Sequence, residues 1–408
     1  MEGATPISAR GDMRTLLACF LHFDVSFMLW VLPGALGVFI AESLDLTPAQ
    51  KGLVVAAPIL TGALLRIPAG LLADSFGAKR VGVFMLAFPF VPLALGRLAA
   101  GSFEAWVITS LMLGAAGTSF AVALSLASRS FPPERQGLVM GIAAAGNSGT
   151  VIANLAAPRL ALIIGWPNVL LAAMAPAALA LAIFTGLARE QRTQRPIPSR
   201  RRLPRIAREP DLWRLCGLYA VTFGGYMGLT AFFPLLLRTA HSLGPVEAGY
   251  MTALVAVAGS AVRPLGGYAA DRLGGPRVLA LLFASLAVLY AGIALASSPA
   301  ALMLVSVPLF LCLGAGNGAL FQIVAGRFSD DIGAATGVVG AVGGVGGFLL
   351  PNILAGAEGV TGSFQAGFIA LALIALGAFV SLRAAIRGAS SGPSPAPRAA
   401  RVAMVPYL

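Results

Sequence analysis

The chain has 408 residues, of which 58% are hydrophobic and 11% charged, and its mean hydropathy is +0.87. So apolar a composition excludes a soluble two-domain enzyme, and runs that are apolar on every side, such as residues 279–296, exclude a β-barrel, whose strands alternate. A net charge of +12 would point to nucleic acid in a soluble chain, but the cations here gather in connecting segments, as the positive-inside rule requires of a helical membrane protein, so no nucleic-acid partner is expected.

The first apolar run follows Arg10 and Arg14 with no small-residue cleavage site behind it, and is read as an uncleaved span. Runs bounded by Gly, Pro and charge then place six spans near residues 16–40, 50–73, 79–98, 104–130, 136–163 and 166–188. A second six follow near 210–238, 245–271, 276–297, 299–328, 332–356 and 363–388. The expected fold is an all-α membrane protein with 12 transmembrane helices in two pseudo-symmetric six-helix bundles, over residues 1–188 and 210–388. Between them, residues 189–209 hold eight arginines with Pro196, Pro198 and Pro204, a basic linker expected on the cytoplasmic surface. The tail 389–408, rich in Ser, Pro and Ala, is expected to be disordered and cytoplasmic. Of the 28 cations, twenty-two fall on the side of the linker and both termini, four (Lys51, Arg97, Arg159, Arg238) on the other, and two inside spans. Both termini are therefore expected in the cytoplasm. Cys19, Cys216 and Cys312 are distant in sequence and lack metal spacing, so neither metal nor disulfide is expected.

One stretch occurs twice. Residues 64–80 (LLRIPAGLLADSFGAKR) return as 261–277 (AVRPLGGYAADRLGGPR), with Arg66, Asp74, Gly77 and Arg80 repeated as Arg263, Asp271, Gly274 and Arg277 at a constant offset of 197. Each inner arginine lies eight residues before an aspartate at the span's end, hence about 12 Å deep at the helical rise, near the middle of a core about 30 Å thick. A central arginine costs about 2.5–3.5 kcal/mol or more to insert. Of the sixteen acids, all but Asp24 lie at termini, in loops or at span ends, so no internal carboxylate neutralises both arginines. Asp24 and nearby His22, both in the first span, are the interior titratable groups that proton symport would use, unless Asp24 lies at the cytoplasmic mouth, the placement preferred here. A small anion is then the expected partner, because a guanidinium presents a planar fork of donors.

Gly146-Asn147-Ser148-Gly149 and the eleventh-span run Gly337, Gly340, Gly343, Gly344, Gly346 and Gly347 are unusual, since glycine costs about 1 kcal/mol in a helix. Close helix packing accounts for most of these glycines. Asn147 is different, because an amide within an apolar span requires a partner and donates to an oxyanion.

The pattern Gly70-x3-Asp74-x2-Gly77-x-Lys79-Arg80, repeated as Gly267-x3-Asp271-x2-Gly274-x2-Arg277, resembles the loop signature of the major facilitator superfamily over nearly the whole chain. Leu65-Arg66-Ile67-Pro68, residues 145–149, Arg263-Pro264-Leu265-Gly266-Gly267 and the eleventh-span glycines resemble the nitrate/nitrite porter family within it. The resemblance implies that Arg66 and Arg263 hold the anion from opposite sides with Asn147, that Phe27 and Phe120 flank it, and that Tyr219 and Phe223 supply a hydrogen bond and a wall. It implies a conformational latch at Asp74, Arg80, Asp271 and Arg277. The expected activity is secondary active transport of nitrate or nitrite across the cytoplasmic membrane by alternating access, most simply as exchange, by a monomer without cofactor or catalytic residues. A carrier of another small anion, a proton symporter and a transport-inactive anion sensor are the alternatives; a drug/proton antiporter usually has membrane carboxylates that are not evident here.

Overall fold

In the computed structural model, residues 11–98, 101–131, 145–190, 199–328 and 331–391 are described. Among them, eleven helices are long and apolar enough to cross a bilayer: Met13–Ser43, Pro48–Ala73, Ala78–Leu98, Phe103–Ala127, Trp166–Leu187, Pro210–His241, Pro245–Leu273, Gly275–Ala294, Pro299–Arg327, Ala334–Thr361 and Gln365–Ile386. With the shorter apolar helix Gly149–Ile164 as span 5, they form a twelve-span, all-helical fold, numbered below as spans 1 to 12 in chain order. Span 5 begins among the described residues as a tight turn, Ala145–Ser148; the part expected over 136–144 lies outside them. A short helix, Ser199–Ile206, occupies part of the basic linker. The last helix runs to Ser391, and the rest of the expected tail lies outside the described residues.

Spans 1 and 7 are 83% and 89% buried over their apolar windows, against 33% and 22% for spans 6 and 12, which separates central from lipid-facing helices. Large apolar side chains left exposed, such as Leu98, Val288 and Leu304, form the outer surface that a bilayer covers. Between the halves, span 2 packs along span 11 and span 5 along span 8.

The repeat extends into the backbone. Span 2 starts with Thr47 capping Gln50 ahead of Pro48, and span 8 with Gly244 ahead of Pro245, where the Glu247 carboxylate accepts from the Gly244 N–H at 3.3 Å. Both spans then break, at Leu65 and at Val262, and helix resumes at Arg66 and Arg263. The cause is proline: Pro68 and Pro264 have no N–H for the carbonyls of Leu64 and Ser260, and their rings crowd those carbonyls. Both segments stop at a glycine in a conformation closed to other residues, Gly77 at φ +96° and Gly274 at φ +86°.

At the other end of the same spans the halves touch closely. A Cβ on Gly52 would meet Ala355 at 2.7 Å and the Pro351 carbonyl at 3.2 Å; one on Gly249 would meet the Asn154 carbonyl at 2.4 Å and Pro158 at 3.1 Å. These two contacts are related by the same offset of 197. On this face Arg238 of span 7 also bonds Glu42 of span 1 at 2.8 Å. The halves are thus closed together on the face of the 44–47 and 242–244 turns.

Candidate functional site

Arg66 sits between the halves, 5% exposed, with Nη1 donating to the Gly340 carbonyl of span 11 at 2.8 Å. Its guanidinium carbon lies 5.0 Å from the Phe223 ring centre, 5.6 Å from Trp30 and 6.0 Å from Phe120. Three cation–ring contacts at about 0.5–2 kcal/mol each bracket the insertion cost of about 2.5–3.5 kcal/mol. Nε remains buried without a hydrogen-bond partner.

Arg263 is less well matched. Its guanidinium carbon stands over a single ring, Tyr226, at 4.8 Å, and both Nε and Nη2 are buried without a partner. The two guanidiniums are close enough to repel each other, and Tyr219 is near enough to interact electrostatically with both. Tyr219 stacks on Phe223 with ring centres 4.9 Å apart and planes 7° from parallel, and Phe321 meets it edge-on at 5.0 Å. The eleventh-span glycines make this possible: a Cβ on Gly343 would lie 2.3 Å from the Tyr219 ring, and one on Gly340 would lie 3.1 Å from Arg66 Nη1. Gly344 and Gly347 instead face Ala63 and Ile59 of span 2, as close packing predicts.

Asn147 enters from span 5, where its Nδ2 donates to Ser260 Oγ at 2.9 Å and lies 3.4 Å from Tyr226 Oη, while its Oδ1 is buried without a partner. Thus Arg66, Arg263, Asn147, Tyr219, Phe120 and Phe223 converge. Phe27 stands one layer back, packed edge-on against Trp30 at 4.9 Å and Phe23 at 4.2 Å, and it is Trp30 that faces Arg66.

Asp24 is not at a solvent mouth. It is 8% exposed in the middle of span 1 and accepts from Ser148 Oγ at 2.5 Å, beside the start of the Gly149–Ile164 helix. Burial there follows from the orphan N–H groups of a helix start, which a carboxylate from a neighbouring span can satisfy. His22 is buried too, with Nε2 3.1 Å from the Gly82 carbonyl.

Arg80, Asp271 and Arg277 are exposed and form no ion pair with another described residue; the Asp74 side chain lies outside the described ones. The partner the structure gives the first of these turns is Glu190, whose carboxylate accepts from the N–H groups of Ala78 at 2.7 Å and Lys79 at 3.1 Å. Glu190, Trp30, Tyr226 and Ser260 escaped the sequence reading. Spacing could have found three of them: Trp30 follows Phe27 by three residues, Ser260 precedes Arg263 by three, and Tyr226 continues the face of Tyr219 and Phe223 at i+7.

The site therefore offers two cations, an amide and a phenol among aromatic rings, with no carboxylate opposite Arg263 among the described residues, an arrangement suited to one small oxyanion held between the halves. Residues 18–351 match the family model of the Major Facilitator Superfamily. The chain is similar to a nitrite extrusion protein of Bacillus subtilis, 34% identical over 371 residues covering 88% of this chain and 91% of the relative. It is 31% identical to a probable nitrate/nitrite antiporter, NarK1, of Thermus thermophilus, with 90% of each chain covered. Among solved structures, the fold is similar to a bacterial homolog of the human lysosomal transporter Spinster in an inward-facing and occupied conformation, with a TM-score of 0.72, 19% identity and 94% and 98% of the two chains covered. The chain belongs to the nitrate/nitrite porter family of the Major Facilitator Superfamily.

Proposed function

We propose that the protein exchanges nitrate for nitrite across the cytoplasmic membrane by alternating access, with Arg66 and Arg263 binding the anion from opposite halves. The observation that carries this reading is Arg263: two buried guanidinium nitrogens without a partner, in a site that also holds Arg66, are short of one negative charge. Two like charges between the halves oppose their closure until an anion lies between them, so the empty carrier crosses slowly and exchange is favoured over net flux. The names of the Bacillus subtilis and Thermus thermophilus relatives, extrusion protein and antiporter, support the same direction of thought.

In this reading both termini and the basic linker are cytoplasmic, so the halves are closed on the outer face through Gly52, Gly249 and the Arg238–Glu42 pair. Residues 1–188 and 210–388 move as the two rocking units, and Asp74, Arg80, Asp271 and Arg277 latch the alternate, inward-closed state. The site is complete within one chain, which operates as a monomer.

Nitrate uptake into proteoliposomes preloaded with nitrite, compared with empty vesicles and with an imposed proton gradient, tests the reading. Stimulation by internal nitrite is the expected result; uptake driven only by the proton gradient contradicts exchange in favour of symport. Competition by formate or acetate stronger than by nitrite contradicts the assigned substrate.

A further inference from the structure

Beside Arg263 a chain of polar groups crosses from one half to the other. Asn147 Nδ2 of span 5 reaches Ser260 Oγ of span 8 at 2.9 Å, Ser260 Oγ is 2.7 Å from Tyr226 Oη of span 7, and Tyr226 Oη reaches the Ala256 carbonyl at 3.0 Å. Tyr226 is fixed in place: its ring lies under Arg263 at 4.8 Å, meets Phe310 edge-on at 5.8 Å, and leaves no room for a Cβ on Gly259, which would be 2.7 Å away. With the Tyr226 hydrogen on Ala256, the Ser260 hydrogen points to Tyr226 and a Ser260 lone pair receives the Asn147 amide.

That arrangement turns the wrong end of Asn147 away from its neighbours. Oδ1 is left buried and unpartnered, and an amide oxygen repels an anion. Rotating the amide by half a turn presents its N–H groups to the anion, and Oδ1 then requires a donor where the N–H groups had an acceptor. Ser260 can supply it, because a hydroxyl both accepts and donates: its hydrogen swings from Tyr226 to Asn147, while the Tyr226 hydroxyl keeps its bond to Ala256 or turns to Ser260. The Asn147–Ser260 bond between the halves is kept in the exchange, while the longer Asn147 Nδ2–Tyr226 Oη contact of 3.4 Å is given up.

We infer that Ser260 and Tyr226 are positioning residues for Asn147, and that reversal of the Ser260 hydroxyl allows the amide to turn its N–H groups to a bound anion while the two halves stay bonded. The inference rests on the anion-exchange reading. It makes Ser260 a determinant of anion affinity although it need not touch the anion, and it predicts that what matters at 260 is a hydroxyl rather than volume.

The test is nitrate affinity, measured as Kd on purified protein in detergent and as KM for uptake in nitrite-loaded vesicles, for Ser260→Ala, Ser260→Thr and Tyr226→Phe. Ser260→Ala raises both constants about tenfold, as expected for one hydrogen bond lost to the anion's ligand, with the maximal rate within about twofold. Ser260→Thr restores affinity to within about twofold, and Tyr226→Phe has an intermediate effect of about threefold. Unchanged affinity in Ser260→Ala, a lower maximal rate at constant KM, or a Thr variant as impaired as Ala each overturns the inference. Should Ser260→Ala fail to fold, Ser260→Cys, a poor hydrogen-bonding group of similar size, takes its place against Thr with the same expectations. An unmodified protein that binds nitrate without exchanging it sinks the exchange reading alone, because the order of Kd values among the variants still decides the role of Ser260; an unmodified protein that binds no nitrate sinks both.

Discussion

Arg66 and Arg263 stand at the same register of the repeat, each just past a proline-induced break and each opening a helical segment that ends on a positive-φ glycine. Their surroundings differ. Arg66 has Trp30, Phe120 and Phe223 around it and a carbonyl from the opposite half, whereas Arg263 has one ring and two nitrogens without a partner. The turns beyond them differ as well: Glu190 closes the one at Gly77, while a Cβ on Gly274 would meet nothing within 4 Å. The repeat places the two cations alike, but their neighbours satisfy them unequally: Arg66 is bonded and caged, whereas Arg263 keeps two nitrogens without a partner. In the exchange cycle proposed above, Arg66 binds as part of the scaffold and Arg263 is the arginine left for the anion.

That division can be broken first at the arginines themselves. Arg66→Ala and Arg263→Ala both abolish nitrite-stimulated nitrate uptake, a loss of at least about a hundredfold expected when a charge-assisted bidentate contact is removed. Only Arg66→Ala also lowers the thermal unfolding temperature of the purified protein, because only Arg66 is bonded and caged without the anion. Equal destabilisation by the two substitutions would erase the distinction. Gly343→Ala comes next: its methyl group has no space beside the Tyr219 ring, so uptake falls about tenfold or more, whereas Gly337→Ala, with nothing within 4 Å, leaves uptake nearly unchanged.

The smallest effects sharpen the contrast between the two turns. Gly77→Ala and Gly274→Ala each cost about 1–3 kcal/mol, because positive φ with extended ψ is a backbone region that only glycine adopts readily, and Gly77→Ala costs more because the new methyl group meets Glu190 Oε2 at 2.6 Å. Glu190→Ala destabilises by about 1 kcal/mol as a lost helix cap. Denaturation midpoints of these three variants rank them, and a Gly274→Ala protein less stable than Gly77→Ala would contradict the assignment of Glu190 to the first turn alone.

The parts of this site that were legible in sequence are those that violate a membrane's economy. Arg66, Arg263 and Asn147 stand out because a charge or an amide in an apolar run is costly, and the twelve spans follow from the same apolar runs. Trp30, Tyr226 and Ser260 carry no such signal, since aromatic rings and a serine hydroxyl bonded within the bundle sit in spans at little cost. Asp24 misled for a related reason: sequence shows the charge but not the Ser148 hydroxyl that meets it from another span. Glu190 was absorbed into the basic linker because nothing local marks a carboxylate that caps a helix 112 residues away.

Whether one anion is held between the two arginines is tested most directly by nitrate titration of the purified protein by calorimetry, with the unmodified chain set against Arg66→Ala and Arg263→Ala. One nitrate bound per chain, with binding lost in both variants, is the result predicted; nitrate bound by Arg263→Ala with unchanged affinity would contradict it.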